Sequence, residues 1–389
     1  METGSPNHAA DLPDDLIVEI LARLPAKSLR RFTCVCRSWR ALIADPAHRA
    51  RLAQTLSGFF VFYRPFAADA RPSWGFIGLS PAPSPADTAL SFLPASCGEV
   101  VRLLDSCNGL LLLLCSHAPW SPLEPRPCHY VVCNPATGEW VALPPPSHAP
   151  GQLGDPAREE NKRTWSAALG FDPAVSTSHF HVFQLLEGEL MTEYDMEAVE
   201  IYSSETRRWV LSSSSDRYPL FGDHMVYLNG ALHLTAIGDE VVTVDTNGEP
   251  WKVKHVRRRN HDLHENNFIG HSQGRLIYMD DTYPDDSLSI YVLENDGSGE
   301  WILKHNMSKL DLFGPRKLPR APNYDVLAFH PHGDLIFFYD RPGERLMSYD
   351  MACGEAHVIC TIERLPGVER HFLPYVPLYS RILTSPNIN

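Results

Sequence analysis

The chain has 389 residues, enough for one small and one large domain, and 34 Lys and Arg against 47 Asp and Glu give a formal net charge of −13. This balance argues against a broad surface for nucleic acid or for anionic membranes. Residues 1–55 contain eight basic and six acidic residues, so the acidic excess lies in the remainder of the chain. No apolar run has the length of a membrane-spanning helix, and the polar start of the chain predicts no secretory signal.

The first predicted element is an amphipathic helix between Pro13 and Pro25. Asp14 and Asp15 suit the positive end of its dipole, and Pro25 predicts that the helix ends at the preceding residue. At about 100° per residue, one apolar arc contains Leu16, Ile17, Ile20, Leu21 and Leu24. Val18 lies outside this arc, so the helix is predicted to pack on its neighbours and also on another protein.

Three more helices are predicted before residue 55. The second covers residues 26–33, the third begins near Cys36, and Asp45-Pro46 opens a short fourth helix through Leu52. A helical unit of about 40 residues buries too little surface to be stable alone. We therefore expect it to dock on another protein or on the rest of the chain.

The order of these residues resembles the F-box. In that family a Leu-Pro pair and an acidic residue precede an Ile-Leu helix that ends in Leu-Pro, and a Ser-Leu helix and a Val-Cys-basic-x-Trp segment follow. The matching positions are Leu12, Pro13, Asp14, Leu16, Ile20, Leu21, Leu24, Pro25, Ser28, Leu29, Val35, Cys36, Arg37, Trp39 and Leu42. The resemblance implies binding to Skp1, the adaptor that links F-box proteins to a cullin-RING ubiquitin ligase.

The same resemblance implies a Skp1-binding surface on the first two helices, with a tryptophan at the far side of the fold. Its residues are Leu12, Pro13, Leu16, Ile20, Leu24, Pro25, Leu29 and Trp39. The alternative is an ordinary helical subdomain packed on the rest of the chain. The apolar excess of the first helix and the order of the motif both favour the F-box.

After Thr55 the helical spacing gives way to short β-rich runs separated by Gly, Pro, Asn and Asp, which is typical of an all-β chain. The clearest runs begin at Gly58, His179, Met225, Arg275, Leu288 and Asp334. Glycine turns that are predicted to connect neighbouring strands occur at Asn108-Gly109, Asn229-Gly230, Gln273-Gly274 and His332-Gly333.

A loose repeat of two strands around a glycine turn, followed by a strand, a polar turn and an aromatic residue, recurs through this region. Its copies end at Trp140, Trp209, Trp251, Trp301 and His357. Repeats of roughly 40 to 50 residues with about four strands each are typical of propeller blades. The blades stack radially because one sheet cannot bury both of its faces alone. We predict five blades and a sixth from strands within residues 58–94, completed by residues 371–383, with each Trp filling the space between sheets. A two-sheet sandwich is the alternative.

The same region resembles the plant-type F-box-associated domain through SCNGLLLL at 106–113, CNPATGEWVALPPP at 133–146 and the spacing after the F-box. The predicted fold class is therefore α+β multidomain, a small helical F-box followed by an all-β propeller-like domain of about six blades. We predict a disordered N-terminus at 1–10, the F-box domain at 11–55 and the propeller-like domain at 56–389.

No catalytic, cofactor-binding or metal-binding residue is predicted. His261, His264, Glu265 and His271 are close in sequence, but their order matches neither zinc-protease pattern and Asn266-Asn267 indicates a loop. Phosphate-binding loops and nucleophile elbows are absent. The nine cysteines form no Cys-x-x-Cys pair and lie mostly in apolar runs, which predicts free thiols in a reducing compartment, the cytoplasm or the nucleus.

These features predict a non-catalytic substrate receptor of an SCF-type ubiquitin ligase, with the F-box bound to Skp1 and the β-domain presenting a target protein. Two alternatives remain open. One is an enzymatic or sugar-binding propeller with a helical appendage, which would need carboxylates or histidines that converge on the central channel. The other is an F-box scaffold that acts outside ubiquitylation. The acidic β-domain mildly favours basic partners.

Overall fold

The computed structural model describes most of the chain. The described residues are 12–24, 26–32, 35–44, 48, 56–66, 71–80, 86–118, 127–148, 167–176, 178–187, 195–237, 239–247, 251–256, 267–281, 287–294, 299–314 and 323–383. Within these ranges, no helix combines the length and the apolar character that crossing a membrane requires.

The described part of the N-terminal unit includes three short helices, α1 (Asp14–Ala22), α2 (Ala26–Phe32) and α3 (Arg37–Ala44). The α1 helix begins after Pro13, whose carbonyl oxygen accepts the first intrahelical hydrogen bond from Leu16 at 2.9 Å. It ends two residues before the predicted Leu24, because the last turn tightens so that the Leu24 N–H donates to the carbonyl of Leu21. The predicted fourth helix lies almost entirely outside the described residues.

The three helices share a small apolar core. Leu21 and Leu29 are buried at its centre. Around them pack the half-buried side chains of Ile17, Leu24, Phe32, Trp39 and Ile43. The edge of the Trp39 ring meets Phe32, with 5.1 Å between the ring centroids.

From Gly58 onwards the described chain forms 22 strands in six blades. Blade I contains β1 (Gly58–Pro65), β2 (Ser73–Gly78) and β22 (Val368–Tyr375), and blade II contains β3 (Glu99–Cys107), β4 (Leu110–Ser116), β5 (His129–Asn134) and β6 (Glu139–Ala142). Blade III contains β7 (Ala167–Gly170), β8 (His181–Glu187), β9 (Asp195–Ser203) and the first half of β10 (Arg208–Leu228).

The second half of β10 continues into the next blade. Blade IV is completed by β11 (Ala231–Ala236), β12 (Glu240–Asp245) and β13 (Lys252–His255). Blade V contains β14 (Phe268–Ser272), β15 (Arg275–Asp280), β16 (Ser287–Leu293) and β17 (Trp301–Ser308), and the helix α4 (Lys309–Phe313) follows it. Blade VI contains β18 (Tyr324–Phe329), β19 (Leu335–Asp340), β20 (Arg345–Asp350) and β21 (Glu355–Thr361).

Both ends of the β-domain meet in blade I, as predicted. The β1 strand lies between β2 and β22 and is antiparallel to both. Its register with β22 runs from the Gly58 and Tyr375 pair to the Pro65 and Val368 pair. The final strand therefore closes the ring, which pairs an edge that would otherwise be exposed.

Six apolar clusters separate the blades, one at each of the six boundaries. Representative members across successive boundaries are Phe60 with Leu113, Leu112 with Leu169, Phe183 with Leu232, Val241 with Tyr278, Ile290 with Phe338, and Phe337 with Phe59. Because the sixth cluster joins blade VI to blade I, the architecture is a closed six-bladed propeller, not a two-sheet sandwich.

The leucine run 110–114 shows how the sequence specifies this stacking. Successive side chains on a strand point to opposite faces. Leu110, Leu112 and Leu114 enter the cluster shared with blade III, whereas Leu111 and Leu113 enter the cluster shared with blade I. Every residue of β4 is buried because both faces of its blade are covered by neighbouring blades.

The four repeat tryptophans pack between sheets, as predicted. Trp140, Trp209, Trp251 and Trp301 each join the cluster between their own blade and the preceding one. The fifth repeat carries His357 at this position, where the side chain is exposed on β21.

The connections define two ends of the propeller. With β22, β1 and β2 counted as the first three strands of blade I, the turn end carries the connections between the first and second strands of blades II to VI. They include three two-residue turns whose residues have positive φ: Asn108-Gly109, Asn229-Gly230 and Gln273-Gly274. The crossover end carries the connections between second and third strands and the connections from one blade to the next. The chain enters at the turn end, where the Ser57 N–H donates to the Tyr375 carbonyl at 2.9 Å.

Candidate functional site

A row of exposed apolar side chains marks the first helix. Leu12, Leu16 and Ile20 are 45%, 51% and 49% exposed. Leu16 and Ile20 are four residues apart on α1, so they share one face of the helix, and Leu12 lies just before its first turn. The apolar arc predicted from the sequence is therefore divided, because Leu16 and Ile20 are exposed whereas Leu21 is buried, and Val18, which lies outside the arc, is buried as well.

The other predicted contact residues occupy different positions. Pro13 is exposed beside the row, whereas Leu29 is buried and Leu24 and Trp39 are half-buried within the helical core. Pro25 lies outside the described residues. Val35, which the prediction left out of the binding set, is 60% exposed. Its place in the Val-Cys step of the motif is the signal that would have suggested it.

Charged side chains border the exposed row. Asp15 is exposed, and the Arg23 guanidinium lies 3.5 Å from the Glu19 carboxylate in an exposed i, i+4 ion pair. Exposed pairs of this kind contribute little to stability. The surface of α1 thus presents an apolar line with a polar border, the arrangement expected of a helix face that meets another protein.

The crossover end of the propeller carries a second group of exposed apolar side chains. Phe66, Ile237, Leu310 and Leu365 all lie on its connections, and Phe66 is 71% exposed. Phe66 and Leu365 come from adjoining connections, since the Phe66 N–H donates to the Gly367 carbonyl at 2.8 Å. At the turn end the corresponding exposed residue is Val175, on the connection between β7 and β8.

A cavity of about 170 Å³ lies where the innermost strands of all six blades converge, near the turn end. Its polar side is formed by Asp105 and Ser106 of β3, His224 of β10 and His271 of β14. The sequence shows no such convergence, and its prediction for His271 is a residue of a solvated loop. The structure corrects this assignment, because His271 lies within β14, where it pairs with Leu276 of β15.

Asp105 joins two blades at this cavity. One carboxylate oxygen accepts the N–H of Leu169 in blade III at 2.7 Å, and the other accepts the N–H of Ser106 at 2.7 Å. Burial raises the pKa of Asp105 to about 6 despite these two hydrogen bonds. Burial also lowers the pKa of His271, with a further lowering from His332, so its imidazole is neutral near pH 7.

These features define a protein that combines a short helical docking unit with a six-bladed propeller. Comparisons with known proteins place the chain in a family. The profile of the F-box domain matches residues 10–50, and the profile described as "F-box protein At3g26010-like, beta-propeller" matches residues 84–364. The chain therefore belongs to the At3g26010-like F-box proteins with a β-propeller.

Relatives with curated names carry the same designation. The chain is 25% identical to F-box protein At5g07610 of Arabidopsis thaliana over 78% of this chain and 72% of that protein. It is 28% identical to F-box protein At5g49610 of the same plant over 69% of this chain and 68% of that protein. Among solved structures, the Cps50 (Swd1) β-propeller domain of Myceliophteria thermophila matches with a TM-score of 0.37 and 10% identity over 66% of this chain and 72% of that chain, a likeness too loose to bear on function.

Proposed function

We propose that this protein is a non-catalytic substrate-recognition subunit of an SCF-type ubiquitin ligase. The F-box holds a Skp1-like adaptor, which links it to a cullin-RING ligase, and the propeller binds a target protein. The family assignment supports this general role. The observation that carries the Skp1 contact is the row formed by Leu12, Leu16 and Ile20, whose apolar surface is left uncovered by the helical core.

The energetics of the row fit a docking surface. Each of its three side chains keeps about half of its surface in solvent, so an adaptor that covers the row removes apolar area from water at three adjacent positions. Burying a Leu or Ile side chain contributes about 2 kcal/mol. The half-buried Leu24 and the buried Leu29 support the row from beneath, because they fix the relation of α1 to α2.

We place target binding at the crossover end of the propeller. Phe66 and Leu365 supply neighbouring exposed apolar surface there, and Ile237 and Leu310 add to it from two other blades. The chain enters the ring at the opposite, turn end. Connections at one face of a rigid scaffold are common positions for partner contacts. The acidic excess of the β-domain favours a target with a basic surface.

The first experiment is co-expression of the full chain with Skp1, followed by size-exclusion chromatography. A 1:1 complex is expected for the wild type and its loss for Leu16→Asp. The control is Leu211→Asp, at a side chain of similar exposure on the outer strand of blade III. A wild-type chain that elutes without Skp1, or a complex that survives Leu16→Asp, contradicts the proposal.

Proximity labelling separates a ligase receptor from a scaffold that acts outside ubiquitylation. The intact chain and a Leu16→Asp, Ile20→Asp double variant should label the same targets, because the propeller is unchanged. Targets of a ligase receptor accumulate with the double variant, since they are bound but no longer ubiquitylated. Equal target levels with both chains would support the scaffold function.

A further inference from the structure

The central cavity has an aromatic wall. The ring of His224 lies 4.4 Å from that of Phe268, centroid to centroid, and the ring of Phe268 lies 5.7 Å from that of Phe329. These three rings come from blades IV, V and VI and all line the cavity. The absence of a side chain at Gly270 allows this approach, because a Cβ atom there would lie 2.7 Å from the Phe329 ring.

The lining of the cavity carries one carboxylate and no ammonium or guanidinium group among the described residues. Among the lining residues that the structure describes there is no Lys, Arg or Glu, and Asp105 is the single carboxylate. His271 is neutral near pH 7 because burial lowers its pKa. Asp105 lies deep in the fold yet keeps part of its surface accessible, and each of its oxygens accepts one backbone N–H, which leaves acceptor capacity for a ligand.

A neighbouring hydroxyl is available as well. The Ser106 Oγ atom is buried and has no hydrogen-bond partner within the described chain. Buried polar atoms in proteins are nearly always paired, with protein, water or ligand. Asp105 and Ser106, consecutive residues of β3, thus place two oxygen acceptors in the lining of the cavity.

We propose that this cavity binds an organic cation with a single positive charge on an apolar body, either a free amine or the side chain of Lys or Arg from a bound peptide. The carboxylate of Asp105 supplies the counter-charge and Ser106 accepts a further N–H. The rings of Phe268 and Phe329 attract the cation through their faces and cover its apolar body. The acidic β-domain raises the local concentration of cations.

The raised pKa of Asp105 supports this assignment. Burial makes its charged form costly, and no cationic side chain lines the cavity within the described chain to offset that cost. A bound ammonium would offset it. The proposal concerns the propeller alone and does not rest on Skp1 binding, so either can fail without the other.

The test is a charge series of three probes of nearly equal shape. Benzylammonium, benzyl alcohol and benzoate are titrated into the full chain near pH 7.5, with binding followed by isothermal calorimetry and ligand-detected NMR. Benzylammonium is expected to bind saturably, at least about tenfold more tightly than benzyl alcohol, since a charge-assisted hydrogen bond outweighs a neutral one. No binding is expected for benzoate. Equal affinities for the alcohol and the amine, or no saturable binding of the amine, overturn the proposal.

Variants assign the binding to this cavity. Asp105→Asn should remove the preference for benzylammonium over benzyl alcohol. Phe268→Leu should lower the affinity for benzylammonium without removing that preference. The control is Asp350→Asn, which makes the same charge change at a turn where the carboxylate accepts the Ala352 N–H at 2.8 Å. If Asp105→Asn does not fold, Ser106→Ala replaces it and should lower the affinity for benzylammonium severalfold. A preference for the amine that survives Asp105→Asn contradicts the site, and so does an unchanged amine affinity in Ser106→Ala where that variant replaces it.

A fourth probe separates the two sources of the cation. N-acetyl-lysine methylamide carries the same ammonium on a backbone fragment. Tighter binding of this probe than of benzylammonium assigns the cavity to a peptide side chain. Tighter binding of benzylammonium assigns it to a free small molecule. In both cases one probe should displace the other in a competition titration. Two probes that bind at the same time would contradict a single site.

Discussion

Gly58, the first residue of the first strand, pairs with Tyr375, the last residue of the final strand. The two residues are 317 positions apart in the chain, yet their strands are neighbours in one blade. Ring closure in this fold therefore depends on a long-range antiparallel pairing. Phe59 and Phe372 reinforce it, with ring centroids 6.5 Å apart in the cluster between blades VI and I.

Gly58→Ala should destabilise the propeller at this closure. A Cβ atom at Gly58 would lie 2.2 Å from the Ile77 carbonyl oxygen, a backbone atom that cannot move without disturbing the sheet. Overpacking of this kind costs about 1 to 3 kcal/mol. Urea denaturation measures the loss. The control is Gly75→Ala on the neighbouring strand, where the nearest atom is 3.5 Å away and the effect should stay within about 0.5 kcal/mol. Equal effects at both glycines would contradict the role of this contact.

Trp251→Phe should destabilise the propeller more than Trp209→Phe. Each indole N–H makes one hydrogen bond, from Trp251 to the Ser212 hydroxyl at 3.0 Å and from Trp209 to the Pro144 carbonyl at 2.8 Å. The first bond is buried, so its loss leaves a buried hydroxyl with one partner fewer and costs about 1 to 3 kcal/mol. The second is exposed, and water replaces the lost donor. Thermal and urea denaturation of the two variants compare the costs, and a larger loss for Trp209→Phe would contradict the assignment.

His233 should make the protein sensitive to acid. Burial lowers its pKa to about 4, so the folded state keeps the neutral imidazole, whose ring nitrogens lie 3.0 Å from the Thr243 hydroxyl and 3.4 Å from the Leu228 carbonyl. A pKa lowered on folding means that the unfolded chain binds the proton first as pH falls below about 6.5. The stability that this group contributes is complete above that pH, falls by about 2 kcal/mol at pH 5, and is lost by about pH 4.

Urea denaturation of the wild type and of His233→Gln at about pH 7.5 and pH 5 measures this contribution. The difference in unfolding free energy between the two pH values should be smaller in the variant. His357→Gln, at an exposed histidine, is the control. His271 is present in the wild type and in His233→Gln, so it contributes equally to the acid sensitivity of both. An acid sensitivity unchanged in His233→Gln would show that this imidazole is not the source.

Much of the fold follows from local patterns. Glycine turns, short β-rich runs and a Trp in four of the five repeats predict the blades, because each of these signals involves neighbouring residues. The first strand of blade III, Ala167–Gly170, was missed because its connection to the next strand spans residues 171–180 and contains no Asn-Gly turn. The single strand β10 that passes from blade III into blade IV was also missed, since Pro219 and Gly222-Asp223 within it are turn signals that predict a break in the strand.

The sites were predictable to different degrees. The F-box residues lie within one short segment, so their order was visible, although helical periodicity alone did not separate the exposed Leu16 from the buried Leu21. The cavity was invisible to the sequence because Asp105, His224 and Phe329 come from three blades and only the closed ring brings them together.

The central claim is that the exposed row on α1 binds Skp1, and the affinity of purified Skp1 for the full chain tests it most directly. Leu16→Ala and Ile20→Ala should each weaken binding about tenfold, because each removes an apolar side chain from the interface while leaving the helical core intact. Val358→Ala, at a similarly exposed side chain on β21, should leave the affinity unchanged. Skp1 affinity that is unchanged in both α1 variants, or reduced equally by Val358→Ala, would contradict the claim.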